Sequence, residues 1–467
     1  MNKTKTKKVI MITAAVMTLM AVVVFIIITC SSGVYPGVEW KEKEIEHNGR
    51  VVRLKNKRVV IEVNGKTTWM SSKDYKVEDL LISDVDGDGR EELTLLLWKK
   101  GKYGQSKPLW ERDKEEDRSL SQHIFIYEIN EKDEAVSKWF ASDPGMQVKC
   151  MTYTEDKRPV LLIEDINGNS SAWIWASWGM TNIENSVSFV VYGDNIIHKE
   201  MLENAAGYDR LYEDVRKDIS EADIAALNAE TVLVDKESAI SGYPQFGSPI
   251  AVGEALRDAG FSLICCANNH AMDKGIYGIN TTADFYEAND MTYVGIQRSN
   301  EEEYVPYKII NCHGISFAVF AYTEHTNDYD ARDKYPYAVH YFPEEEKLRE
   351  EIEKGKEAAD VVLVFAHWGE EYEGEPNEYQ RRTAQILADA GADVVIGSHP
   401  HVVQKTEVIK GEKGNDTLVC YSLGNFRAMP GKDERSKTGA ELKFTFERGI
   451  DGVSIKSYET EEIAVLH

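Results

Sequence analysis

Cysteine is scarce in this chain: six residues among 467, and no C-x-x-C pair. A disulfide framework is not needed. Cys150, Cys265, Cys266, Cys312 and Cys420, which mostly lie in or beside apolar runs, read as small core hydrophobes. Basic charge is also in short supply, 54 Lys and Arg against 79 Asp and Glu, for a formal charge of -25. Such a surface repels phosphates, which argues against non-specific binding to nucleic acid. What remains, 42% hydrophobic and 28% charged residues, describes a globular protein too long for one ordinary core.

The first thirty residues depart from the acidity of the rest. "MNKTKTKK" is basic, and Val9 to Thr29 is an uncharged apolar run of 21 residues, long enough to span a bilayer as a helix. Lysines before the run place the N-terminus in the cytoplasm and the chain after Cys30 outside. Two processing fates are open. "IIITCSS" resembles a bacterial lipoprotein signal with Cys30 as the lipidated residue, whereas Thr29 mismatches the small residue expected before that cysteine and favours an uncleaved anchor. Residues 1–33 are thus expected to be a membrane anchor or lipoprotein signal, with the remainder tethered outside the cell membrane.

Residues 34–183 carry short alternating runs such as "RVVIEV", "LTLLLW" and "SAWIWASW", the pattern of strands. "LLISDVDGDGREELTLLLW" from Leu80 is echoed by "LLIEDINGNSSAWIWASW" from Leu161, which predicts a duplicated β unit. Asp84, Asp86 and Asp88 alternate around a glycine turn, as carboxylates do at the start of a calcium loop. The flanks are strands, and the pattern resembles the integrin-type FG-GAP and VCBS propeller repeats. That resemblance implies an accessory, propeller-like β domain, and leaves the first loop two readings, a Ca²⁺ site or a tight Asx turn capping its own backbone. The second loop, with Asp165, Asn167 and Asn169, has fewer carboxylates and reads as the weaker binder or as a self-capped turn.

From residue 186 strands alternate with helices, the signature of an α/β sheet with its chemistry beyond the strand ends. Six apolar strands end in residues able to bind a metal or move a proton. "VYGD" delivers Asp194, with His198 close behind, and "ALNAE" delivers Asn228 and Glu230. "CANNH" delivers Asn268, Asn269 and His270, and "FAHWGEEY" delivers His367, Glu370 and Glu371. "IGSHPH" delivers His399 and His401, and "SLGNF" delivers Asn425. A lone histidine at a strand end is ordinary structure; six such endings in one domain are not. Carboxylate, amide and imidazole without thiolate suit one or two Mn²⁺, Zn²⁺ or Fe ions rather than a structural zinc. Histidines at i and i+2 of an extended "HPH" segment reach different ions if the chain twists. Tyr243, Phe246, Ser248, His325 and Tyr372 read equally as groove lining or as packing.

"GDN", "LNAE", "ANNHAMDKG", "HWGEEY", "GADVVIGSHPHVVQ" and "YSLGNF" occur in that order. Together they resemble the motif series of the CapA-like (PGA_cap) capsule-synthesis family, a branch of the calcineurin-like metallophosphatase superfamily. The resemblance implies a four-layer α-β-β-α sandwich over 186–430, with 431–467 adding terminal strands. It makes Asp194 and His401 ligands of one ion, Glu230 a bridge, and Asn269, His367 and His399 ligands of a second. His270 takes the place of a general acid, with Asp273 its candidate partner. The superfamily's Asp-x-His is here Asp194-x-x-x-His198, so His198 is a weaker candidate ligand. The implied function is synthesis, export or trimming of an anionic envelope polymer such as poly-γ-glutamate by metal-dependent hydrolysis or transfer. The alternative is a non-enzymatic metal-containing scaffold among synthesis and export partners.

Overall fold

The computed structural model describes residues 38–466 apart from 105–118, 156–158, 205–207 and positions 328, 331, 430 and 432. The apolar run Val9–Thr29 and Cys30 lie outside the described residues, among which no helix is long and apolar enough to cross a membrane. Contacts divide the chain between Ile183 and Glu184 into two compact units.

Among the described residues, three four-stranded antiparallel sheets make up the first unit, each with its strands in chain order. They are β1–β4 (Lys43–His47, Arg50–Lys55, Arg58–Val63, Lys66–Met70), β5–β8 (Tyr75–Ser83, Glu92–Lys100, Leu120–Ile129, Ala135–Phe140) and β9–β12 (Val148–Tyr153, Leu161–Asp165, Ser170–Ala176, Gly179–Ile183). Alternation sets the faces: Val59 and Ile61 of β3 join Leu93, Leu95 and Leu97 of β6 in one core. The expected duplication gives way to a threefold plan. The Asp84 loop joins the first and second strands of its sheet, whereas the Asp165 loop joins the second and third of its own. The two echoing segments are alike as loops but do not hold equivalent places.

In the second unit two larger sheets lie face to face. β13 (Ser186–Asn195), β14 (Ile224–Ala229), β17 (Leu263–Cys265) and β18 (Thr292–Val294) pair in parallel. On the other side of β13, β26 (Thr438–Gly449) and then β27 (Gly452–Ala464) add antiparallel, and β25 (Asn425–Arg427) pairs with the end of β13. The segment after 430 thus completes this sheet. The short strands β15 (Leu233–Val234) and β16 (Ser248–Pro249) form a separate pair. The other large sheet runs β19 (Tyr307–Cys312), β20 (Ile315–Thr323), β21 (Val361–His367), β22 (Val394–Ser398), β24 (Asp416–Cys420) and β23 (Thr406–Lys410), parallel in the middle and antiparallel at both edges.

The near-continuous apolar runs have a direct cause: both faces of each central strand are covered. Val187, Phe189 and Val191 of β13 meet Phe317 and Val319 of β20 and Leu363 and Phe365 of β21 between the sheets. Phe189 and Phe317 touch edge to face, centroids 5.1 Å apart. Outward, Val190 and Tyr192 pack with the helices Ile250–Ala259 and Gly275–Ala288. Val362, Val364 and Ala366 pack with Glu345–Ala358 and Glu378–Ala390. The last helix starts on a capping box, Asn377 with Gln380. Helix, sheet, sheet, helix is therefore the layer order, and it brings the C-terminal ends of the parallel strands of both sheets to one edge.

Candidate metal centre

At that edge the backbones come unusually close. A Cβ on Gly193 would lie 2.0 Å from the Gly424 carbonyl oxygen, and one on Gly397 1.9 Å from that of Tyr421. Only glycine permits these approaches, and each precedes a ligand-bearing segment: Asp194 follows Gly193, and His399 follows Gly397 by two residues.

Two buried triads form there, each with its ligand atoms within 4.8 Å of one another: Asp194, Glu230 and His401, and Glu230, His367 and His399. Glu230 belongs to both. Asn269 joins the second, its Oδ1 2.9 Å from His367 Nε2. The same Nε2 stands 3.1 Å from His399 Nδ1 and 3.7 Å from Glu230 Oε1. Asp194 Oδ2 lies 3.2 Å from His401 Nδ1. Asn228 ties the carboxylates together, its amide donating to Asp194 Oδ1 at 2.8 Å and to Glu230 Oε2 at 3.3 Å. Asn268 in turn donates to the Ala229 carbonyl at 2.8 Å, which fixes the loop carrying Asn269 and His270.

The electrostatics are those of a ligand set. Burial, and then the Asp194 carboxylate, push the Glu230 carboxyl well above its usual range, and its buried Oε1 has no hydrogen-bond partner. Burial and the neighbouring imidazoles hold His367 well below its ordinary value, and His399 at about 3. Burial also works against protonation of His401, but the hydrogen bond and charge of Asp194 outweigh it and raise the group. Two neutral imidazoles converging on an orphaned carboxylate oxygen leave lone pairs without protons between them. A divalent cation satisfies that arrangement; the residues present fit one or two such ions.

Beside the triads His270, 7% exposed, directs Nδ1 at Asp273 Oδ2 across 2.7 Å. Asp273 is itself held by the Phe246 backbone N–H at 2.6 Å, and the Phe246 ring packs edge-on against His270 at 4.8 Å. The His198 ring packs edge-on against Phe246, centroids 5.0 Å apart, and belongs to neither triad. Ser248 donates to Thr231 at 2.9 Å as interior packing, and Tyr243 is exposed. The His325 ring touches His399 edge-on at 5.6 Å, and Tyr372 lies 5.9 Å from His401, its backbone N–H donating to the Pro400 carbonyl. Two residues escaped sequence reasoning. Ser398 Oγ lies 2.9 Å from His367 Nδ1, and the Asn327 backbone N–H donates to the Asn269 carbonyl at 2.9 Å. Ser398 had a signal, its place just before His399 at a strand end; Asn327, in a loop, had none.

In the first unit Asp84, Asp86 and Glu92 form the metal-sized carboxylate group. Asp88 instead pairs with Arg90 at 2.6 Å. The Lys138 ammonium already bridges Asp86 at 2.5 Å and Glu92 at 2.6 Å. Asp165 accepts the backbone N–H groups of Asn167 and Asn169 at 2.8 and 2.9 Å, a self-capped turn.

The fold and site define a mixed α/β protein whose strand ends carry a metal-type donor set. Residues 188–429 match the family model for the bacterial capsule synthesis protein PGA_cap, and the chain belongs to that family. The PGA biosynthesis protein CapA of Bacillus subtilis (strain 168) is 32% identical over 252 residues, 52% of this chain and 62% of that protein. The capsule biosynthesis protein CapA of Bacillus anthracis is 30% identical over 243 residues, 49% of this chain and 56% of that protein. The match spans less than two thirds of either relative. Among solved structures, a phosphatase from Mycoplasma pneumoniae aligns with 60% of this chain and 94% of its own at 14% identity and a TM-score of 0.40. The calcineurin-like phosphoesterase YfkN from Bacillus subtilis covers 60% of this chain and 90% of its own at 15% identity and a TM-score of 0.36.

Proposed function

We propose that this protein acts at the outer face of the cell membrane in synthesis, export or trimming of an anionic capsule polymer such as poly-γ-glutamate, by metal-dependent hydrolysis or transfer. Family membership and the capsule roles named for its relatives support the biological setting. One observation carries the chemistry: two ligand triads share a buried carboxylate beside a His–Asp pair.

Asp194 and His401 would hold one divalent ion and Asn269, His367 and His399 a second, with Glu230 common to both. When bound, such ions supply positive charge and Lewis acidity to an oxyanion and to water. The chain's own part is proton transfer. Asp273 engages His270 Nδ1 and leaves Nε2 for substrate, so the imidazolium form delivers its Nε2 proton to the leaving oxygen or nitrogen. The Phe246 ring covers one side of that imidazole and excludes water from it.

The test is turnover of a chromogenic phosphodiester and of the polymer by the full chain with Mn²⁺. His270→Ala should lower turnover about 10²–10⁴-fold at unchanged metal content. No turnover of ester or polymer by a wild-type chain shown to hold metal would refute catalysis. Unchanged polymer output from cells carrying His270→Ala would favour the scaffold.

A further inference from the structure

At the opposite end of the two sheets, Asp223, Cys312 and His313 place one ligand atom each within 4.8 Å of one another. Asp223 immediately precedes β14, Cys312 ends β19 and His313 begins the turn to β20, so the group links the start of one sheet to the edge of the other. Ser186 and Asp194 stand at opposite ends of β13, about 26 Å apart at the rise of an extended strand. The group is thus remote from the centre described above.

His313 and Asp223 are each aimed by hydrogen bonds to the atom that faces away from the group. His313 Nδ1 lies 2.9 Å from the Ser186 carbonyl oxygen, which can only accept, so the proton resides on Nδ1 and Nε2 keeps its lone pair. Asp223 Oδ2 accepts the Ser188 backbone N–H at 2.8 Å and its hydroxyl at 2.7 Å, leaving Oδ1 turned toward His313. Oδ1 and Nε2 stand 3.8 Å apart. That gap is too wide for a hydrogen bond. It is close to what two ligands about 2.0–2.2 Å from a shared tetrahedral ion span. His313 sits in the left-handed region, φ 46°, with a ring nitrogen within 4.8 Å of the preceding Cys312 sulfur. A half-buried thiol, an oriented imidazole and an oriented carboxylate are three of the four ligands a zinc-type ion takes, the fourth being open to water.

We propose that Asp223, Cys312 and His313 form a second, sulfur-containing site for a divalent transition metal, which clips the two sheets together away from the capsule-type centre. On binding, the Cys312 thiol gives its proton to solvent and the thiolate and carboxylate offset the two charges of the ion.

Cobalt is the probe that separates the two centres, because the first contains no sulfur ligand. The reduced full chain in detergent, titrated with Co²⁺, should develop a sulfur-to-cobalt charge-transfer band in the near ultraviolet, removed by Zn²⁺. Cys312→Ser should abolish that band while leaving the weak visible absorption of nitrogen- and oxygen-bound cobalt. His313→Asn, which tolerates the turn but lacks Nε2, should also lose it. Ser188→Ala, which removes the hydroxyl and leaves Asp223 Oδ2 only the backbone N–H of that residue, should weaken binding about 10-fold. Visible cobalt absorption without the ultraviolet band in the wild type overturns the proposal, and so does a band that persists in Cys312→Ser.

Discussion

Ser398→Ala isolates how the second triad is oriented. For His367 to offer Nε2 to an ion, its proton must sit on Nδ1, and the Ser398 hydroxyl oxygen at 2.9 Å is the acceptor that keeps it there. The nearby Asn228 amide, 3.4 Å away, is a donor and cannot replace it. Loss of such an orienting partner lowers metal affinity about 10–100-fold, or about 1.4–2.8 kcal/mol. The same deletion removes a buried hydrogen bond, which costs the fold about 0.5–1.5 kcal/mol whether or not metal binds. Two measurements separate the effects: calorimetric titration of the chelator-stripped full chain with Mn²⁺, and melting of the same sample in chelator. The expected result is a loss of affinity larger than the loss of stability. A melting point that falls while Mn²⁺ affinity stays within twofold of wild type would refute the reasoning, since His367 would then not be a ligand through Nε2.

Glu230→Gln removes a buried carboxylate whose Oε1 has no partner, so in chelator it should melt above the wild type while binding Mn²⁺ more than tenfold more weakly. Because the folded Glu230 carboxyl is raised well above its ordinary value, the wild type should lose stability in chelator as pH rises from that ordinary value toward the raised one, a loss the Gln variant lacks. His340 runs the other way: burial, with Lys308 adding to it, holds it at about 3 against 6.5 unfolded. Its share of stability is present above pH 6.5 and is lost as pH falls, by about 2 kcal/mol at pH 5, so denaturant unfolding of His340→Gln should fall less over that interval. In the first unit Lys138→Met leaves Asp86 and fully buried Glu92 without their cation, an expected loss of about 3 kcal/mol. Millimolar Ca²⁺ should restore the melting point of that variant far more than it shifts the wild type's, and equal shifts would count against competition between the lysine and calcium.

The layers of the second unit were legible because parallel strands covered on both faces need unbroken apolar runs, and those runs are plain in "DVVLVFAHW" and "ADVVIGS". The candidate site was legible for a related reason: in such sheets the polar residues directly after a run lie at one edge. What sequence could not supply was partnership across distance. Nothing in "DVDGDGREEL" says that Lys138, 46 residues beyond Glu92, hydrogen-bonds to its carboxylate. Nor does "GDNIIH" say that the chain after Asn195 packs the His198 ring against Phe246 and leaves it out of both triads. The repeat misled for the same reason. Similar loops signal similar hairpins, whereas the place of a hairpin within its sheet depends on strands elsewhere, here on β9 entering before β10.

The His-Pro-His segment shows most directly what this site requires. On an extended chain, residues i and i+2 point to the same side and would serve one ion. Here both histidines adopt left-handed backbone, φ 97° at His399 and 59° at His401, and their rings, 5.9 Å apart, go to different triads. Such conformations cost of order 1–3 kcal/mol each for a side chain with a Cβ. They persist because Asp194 Oδ2 accepts the His399 backbone N–H at 3.2 Å and Tyr372 donates its own to the Pro400 carbonyl at 2.8 Å. Glycine would suit either backbone position better, so what histidine contributes there is its imidazole. His399→Gly should therefore melt at or above the wild type in chelator, and Mn²⁺ should raise its melting point far less than it raises the wild type's. If instead it melts well below the wild type without metal, the imidazole is a packing group and the second triad is not a binding site.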